Sequence, residues 1–268
     1  MSATPRPASP FAFFALACAI SWLDWGLVIA SHRGWVPFHV GPNPWGSFGP
    51  ALAAIALAAW HGGGAGVRAL LAPIRRWRVG AVGWAIALLG PFAAVALAVG
   101  IAVALGEPAG DFAVPDPVEL LVLAIAIAIV GGPLGEEIGW RGYALPALLR
   151  GCSPAVASLA VAAMWAVWHL PLFWMPGAAQ EEVSSVWGFV ALLTACSVLT
   201  TWLWLRTGGS LAIAIAFHWA INVATFLQPT LLPALAESRV FSWCLLVVGV
   251  AGGVAAVAAL ASKDRRAG

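Results

Sequence analysis

Eight long apolar runs follow one another through this chain, and each needs a solvent other than water. A helix needs about 20 mostly apolar residues to cross a hydrocarbon core about 30 Å thick. The runs cover roughly residues 11–31, 45–60, 79–105, 117–149, 154–174, 186–205, 209–227 and 240–261. Backbone N–H and C=O groups find no partner in lipid, so such segments fold as helices. The expected fold is therefore all-α: a polytopic membrane bundle of about eight transmembrane helices. Composition agrees. Of the 268 residues, 62% are hydrophobic and 9% charged, where a soluble domain carries roughly a quarter charged. The spans use up the length, so residues 1–268 are expected to form a single integral membrane domain. Residues 1–10, with Pro5, Pro7 and Pro10, are expected to be a loose cytoplasmic tail.

Two runs are irregular. The second is short and is expected to start within the Pro-containing loop before it. The fourth is too long for one straight crossing, and Gly131, Gly132, Pro133 and Gly135 interrupt it, so a kink or re-entry is expected there. The stretch 66–78 sets Leu71, Ile74 and Trp77 among arginines. It reads as a short amphipathic helix on an anionic leaflet or as an ordinary basic loop.

Eight spans also sort the charges. Arg6, Arg68, Arg75, Arg76, Arg78, Arg150, Arg206, Lys263, Arg265 and Arg266 then fall on one side. The other side keeps Arg33 and Arg239 and collects Glu107, Asp111, Asp116, Glu181 and Glu182. One span more or fewer scrambles this pattern. Under the positive-inside rule both termini are cytoplasmic, in a cell inner membrane. The net charge of +2 gives no reason to expect a nucleic-acid partner. Arg and Ala used in place of Lys suggest a high-GC bacterial genome. Cys18, Cys152, Cys196 and Cys244 lie far apart without CxxC spacing, and read as small buried hydrophobes rather than a thiolate zinc site. The first run is too long for a cleavable signal and lacks a small-residue cleavage motif.

Charged groups within spans are costly and point to function. Asp24 stands alone in the first run, flanked by Trp22 and Trp25, and has no assigned role. The rest of this polarity concentrates in three runs. In the fourth, Glu137 and Arg141 are four apart and share a helical face, so they pair. Glu136 points about 100° away, without a cation on its own helix, and suits proton transfer. In the fifth, Trp165 stands one turn before His169 and walls the imidazole. In the seventh, His218 and Asn222 share a face, and both can direct donors at one oxygen. Each piece alone also fits a structural role: an ion-pair cluster, an interface histidine, interhelical hydrogen bonds.

Taken together they fit hydrolysis of a peptide bond by water. Glu136 and His169 hold and deprotonate the water, His218 and Asn222 stabilise the oxyanion, and Glu136 returns the proton to the leaving amine. No nucleophilic Ser or Cys is required.

The pattern Glu-Glu-x-x-x-Arg (136–141), aromatic-x-x-x-His (165–169) and His-x-x-x-Asn (218–222) resembles the CPBP family of intramembrane proteases. This group includes Rce1-type CAAX prenyl proteases, bacteriocin-processing enzymes and the former Abi proteins. The motif region covers 133–222, and Phe48-Gly49-Pro50 and the arginine-rich stretch before the third run are also similar. The resemblance implies eight helices around a water-filled cavity open to the cytoplasm. It implies Glu136 as catalytic glutamate, His169 as its partner at the water, and His218 and Asn222 as the oxyanion pair. Glu137 and Arg141 occupy supporting positions. The second motif usually begins with Phe, where this chain has Trp165, a bulkier ring that bears on substrate preference.

The family is often labelled a metalloprotease. Here there is no His-Glu-x-x-His helix, and Asn is a poor zinc ligand. Metal-free glutamate catalysis is the expectation; if zinc is used, its ligands are Glu136, His169 and His218. The expected partners are a peptide or protein substrate at the membrane and the bilayer itself. Prenylated Cys-a-a-X proteins are a eukaryotic class, so peptide pheromones, bacteriocin leaders and membrane-protein tails are open. The competing functions are a catalytically silent scaffold that sequesters a partner protein, and a small-solute transporter. No inverted repeat supports the transporter. Glu136→Gln separates protease from scaffold.

Overall fold

The computed structural model describes residues 9–130, 132–178, 180 and 185–267. Eight helical spans are long and apolar enough to cross a membrane, and no strand occurs among the described residues. They are α1 (Pro10–His32), α2 (Trp45–Arg75), α3 (Ala81–Ala104), α4 (Pro117–Leu148), α5 (Pro154–Trp174), α6 (Val186–Arg206), α7 (Leu211–Leu231) and α8 (Arg239–Ser262). The chain is a multi-pass membrane protein, and its architecture is the helical bundle that the apolar runs predict. Arg6, Glu181, Glu182 and most of the expected N-terminal tail lie outside the described residues.

Five spans begin at a serine cap. The hydroxyls of Ser9, Ser153, Ser185, Ser210 and Ser238 each accept a backbone N–H from three residues on. Ser9 and Ser153 are followed by Pro10 and Pro154, whose missing N–H costs nothing in a first turn.

Span α4 is broken where the glycines predict. Its first helix ends at Val130, and a second begins at Pro133 after Gly132, which sits at φ +106°. A side chain is rarely tolerated in that backbone conformation. The second helix widens into a π turn over Trp140–Ala144 before Leu145–Leu148. Pro146 explains the widening. It has no N–H to offer residue 142, and its ring would crowd that carbonyl in a regular α-helix.

The second helix of α4 packs on the start of α2 through two glycines. A Cβ on Gly135 would lie 2.6 Å from the Ser47 carbonyl, and one on Gly139 would lie 2.5 Å from Pro50. This small-xxx-small spacing lets the backbones approach closely. It gives a packing reason for Phe48-Gly49-Pro50.

Span α2 also shows why its apolar run is short. The loop before it turns back into the bundle, so that α2 starts beside the middle of α1. There Asp24 Oδ2 accepts the Gly46 N–H (3.1 Å), and Ser21 Oγ donates to the Gly46 carbonyl (2.7 Å). Asp24, unplaced by sequence, thus caps the entry to α2. At its other end α2 kinks at Gly63 and stays helical to Arg75. Leu71 and Ile74 pack against the main core while Trp77 is exposed. Residues 66–75 are thus helical, as the amphipathic alternative for 66–78 expects, with Leu71 and Ile74 turned to the protein core.

The loops meet as eight spans require. Arg76 donates to the Gly208 carbonyl (2.7 Å), and the Ser210 hydroxyl donates to the Arg76 carbonyl (2.6 Å). These contacts join the α2–α3 and α6–α7 connections on one side of the bundle. On the other side, Ala113 of the α3–α4 connection donates to the carbonyl of Leu231 at the end of α7 (3.0 Å).

Candidate active site

Three spans bring the intramembrane polarity together. The second helix of α4 supplies Glu136, Glu137 and Arg141; α5 supplies Trp165 and His169; α7 supplies His218 and Asn222. All but Asn222 are buried, with Glu137 and Arg141 fully enclosed and Asn222 half-buried.

Glu137 and Arg141 pair as their spacing predicts, with Nη1 donating to Oε1 at 2.8 Å. The pair does more than the sequence shows. His218 Nδ1 donates to the same Glu137 Oε1 at 2.9 Å. Arg141 Nη2 donates to Ser197 on α6, to its carbonyl at 3.1 Å and its hydroxyl at 3.0 Å. An Arg141–Glu137–His218 chain therefore ties α6, α4 and α7 together. Removing one member of a buried ionic set leaves an uncompensated charge.

Glu136 stands in the first turn of its helix, where unpaired N–H groups favour a carboxylate. Its Oε2 accepts the indole N–H of Trp165. A Cβ on Gly132 would lie only 2.2 Å from Oε1, so the glycine leaves room for the carboxylate. The neighbouring glutamates thus have separate surroundings, as the helical period predicts.

His169 ends the α-helical part of α5, and its Nδ1 donates to the Trp165 carbonyl at 2.8 Å. Both imidazoles are therefore tethered through Nδ1, which leaves Nε2 as the atom for chemistry. Trp165 lies against both rings, at 5.6 Å between centroids for His169 and 5.1 Å for His218. The aromatic wall expected for His169 is present and serves both histidines. Phe189 and Trp168 flank His169 further, at 5.5 and 4.8 Å.

A second layer holds these groups. Trp168 donates its indole N–H to Ser21 Oγ (2.7 Å), and its carbonyl accepts the Trp22 indole N–H (3.0 Å), so α1 grips the end of α5 next to His169. On α7, the Trp219 indole N–H donates to the Ala124 carbonyl of α4 (2.9 Å). Ser21, Trp168 and Ser197 belong to no charged pattern, and sequence reasoning passed over them. Their signal is only the cost of a polar side chain in an apolar run.

Among the described residues no three His, Cys, Asp or Glu side chains gather into a metal-binding group. One oxygen of Glu136 accepts the indole N–H of Trp165. The four cysteines are unpaired with one another, and Cys18 and Cys244 are buried.

Comparison with known proteins bears on this segment. Residues 118–224 match the family described as type II CAAX prenyl endopeptidase, Rce1-like. CAAX prenyl protease 2 of Methanococcus maripaludis is 34% identical over 93 residues, covering 33% of this chain. The aligned part spans 34% of that relative's own length. The resemblance drawn from the three motifs is thereby borne out for residues 118–224, which contain every candidate residue from Glu136 to Asn222.

Proposed function

From the Rce1-like character of residues 118–224, we propose that this protein is an intramembrane endopeptidase. The observation that supports it best is the gathering of one carboxylate and two Nδ1-tethered imidazoles around a single buried indole. That arrangement joins a proton acceptor, a water-holding group and an oxyanion donor across three spans.

The chemistry follows from the groups. His169 Nε2 and Glu136 hold a water against the scissile carbonyl. Glu136 takes one proton from the water as the oxygen bonds to the carbonyl carbon. The oxyanion formed accepts hydrogen bonds from Asn222 and from His218 Nε2–H. Because Glu137 accepts from Nδ1, it supports the protonated imidazole that such a donor requires. Glu136 then gives its proton to the amine nitrogen as the oxyanion collapses and the C–N bond breaks, leaving an amine and a carboxylic acid that loses its proton to water. No metal enters any step. Glu137 and Arg141 act as positioning residues, since they touch His218 and the helices rather than the peptide.

The substrate we propose is a lipidated or membrane-embedded peptide; the name of the Methanococcus maripaludis relative, CAAX prenyl protease 2, makes a prenylated Cys-a-a-X terminus the first class to test. The orientation we propose sets both termini on the cytoplasmic side of an inner membrane, a reading supported by Arg68, Arg75, Arg76, Arg78, Arg150 and Arg206 under the positive-inside rule. A reporter fused at the C-terminus that reads as periplasmic rejects that orientation.

The direct test is reconstitution in liposomes. Purified protein is given a prenylated Cys-a-a-X peptide and its unprenylated twin. Cleavage after the modified cysteine, absent with Glu136→Gln, is the expected result. Equal product from wild type and Glu136→Gln contradicts the reading.

A further inference from the structure

An indole carries what the usual phenylalanine at the head of the second motif lacks, a polar N–H. In this chain that N–H is in use: Trp165 Nε1–H donates to Glu136 Oε2. The ring is 5% exposed, lies against both imidazoles, and has the Arg141 guanidinium 5.1 Å from its centroid. Trp165 thus meets Glu136, His169, His218 and Arg141 together. On the far side of the carboxylate, Oε1 fits beside Gly132 only because that residue has no Cβ.

A glutamate side chain turns about three torsions. A proton acceptor works only within hydrogen-bond reach of its water, and a misplacement of about 1 Å can cost about a hundredfold. A charge-assisted bond from a buried, ring-packed donor removes that freedom. We propose that Trp165 is a positioning residue for catalysis, its indole N–H fixing the Glu136 carboxylate relative to the two imidazoles. The inference rests on the protease reading, in which Glu136 is the proton acceptor. It gives the tryptophan a role in holding Glu136 besides the bearing of its bulk on substrate preference.

The experiment replaces Trp165 by Phe and, through a suppressed stop codon, by benzothienylalanine, which keeps the bicyclic shape with sulfur in place of N–H. If the Phe variant fails to fold, the isostere still decides. Both variants are expected to lower kcat by about tenfold to a hundredfold, the loss of one hydrogen bond to a charged group, with KM within about twofold. In the wild type, the indole ¹⁵N–¹H resonance that disappears in Trp165→Phe is expected far downfield, moving upfield in Glu136→Gln as the acceptor loses its charge. An isostere with wild-type kcat, beside an inactive Glu136→Gln, overturns this inference alone. So does an indole resonance indifferent to Glu136→Gln. A fully active Glu136→Gln overturns Glu136 as the proton acceptor and the inference with it, and a wild type that cleaves nothing overturns the protease reading itself.

Discussion

Helix α7 has two faces that meet opposite surroundings. On one, His218 joins Glu137 and Arg141 in a buried ionic chain. On the other, Phe217, Ile221, Ala224 and Thr225 line an apolar cavity of about 200 Å³, together with residues of α3, α6 and α8 such as Pro91, Cys196 and Gly249. The apolar face needs no directed partner, because hydrocarbon and apolar side chains solvate it alike. A buried polar group is costly without a partner, and the partners that His218, Glu137 and Arg141 find fix their positions. The difference teaches that specificity in this bundle resides in a few polar contacts, while the apolar region tolerates change.

That contrast can be broken at several points. The largest effect is expected at Glu136. Glu136→Gln should lower peptide cleavage by about a thousandfold or more, within the range for a lost general acid–base, at an unchanged thermal midpoint in detergent. Glu137→Gln should do the reverse in emphasis. It leaves Arg141 buried without its carboxylate, so unfolding measurements should show a loss of about 3–5 kcal/mol, with reduced activity following from a misaligned His218. Ser21→Ala removes the acceptor of the Trp168 indole and the donor to the Gly46 carbonyl. A loss of about 1–3 kcal/mol is expected, seen as a lower thermal midpoint. On the apolar side, Thr225→Val should change stability by less than about 0.5 kcal/mol and leave cleavage within about twofold. A large effect of Thr225→Val beside a small one of Ser21→Ala would reverse the comparison.

Much of this was legible from the residues. Apolar length alone marked the eight spans, since crossing hydrocarbon fixes both the length and the helix. The break in α4 was legible because glycine and proline act locally, and Gly132 carries it. The division between Glu136 and Glu137 followed from the helical period. Contacts between spans distant in sequence were not legible. Nothing in the order of residues brings His218 to Glu137, Ser197 to Arg141 or Asp24 to Gly46, because interhelical partners depend on rotation and depth. The Trp165–Glu136 bond was hidden for the same reason. At 66–78 the spacing of apolar residues and arginines allowed a helix, while its rotation, which sets Leu71 and Ile74 against the protein core, was not legible.

The measurement that tests the central claim most directly compares protein termini in the host's membranes. One strain carries the wild type and the other Glu136→Gln at matched expression. The account predicts a small set of new termini, present with the wild type and missing with the variant. Indistinguishable termini across several growth conditions would contradict it, and would recast the Glu/His/Asn cluster as packing in a catalytically silent scaffold.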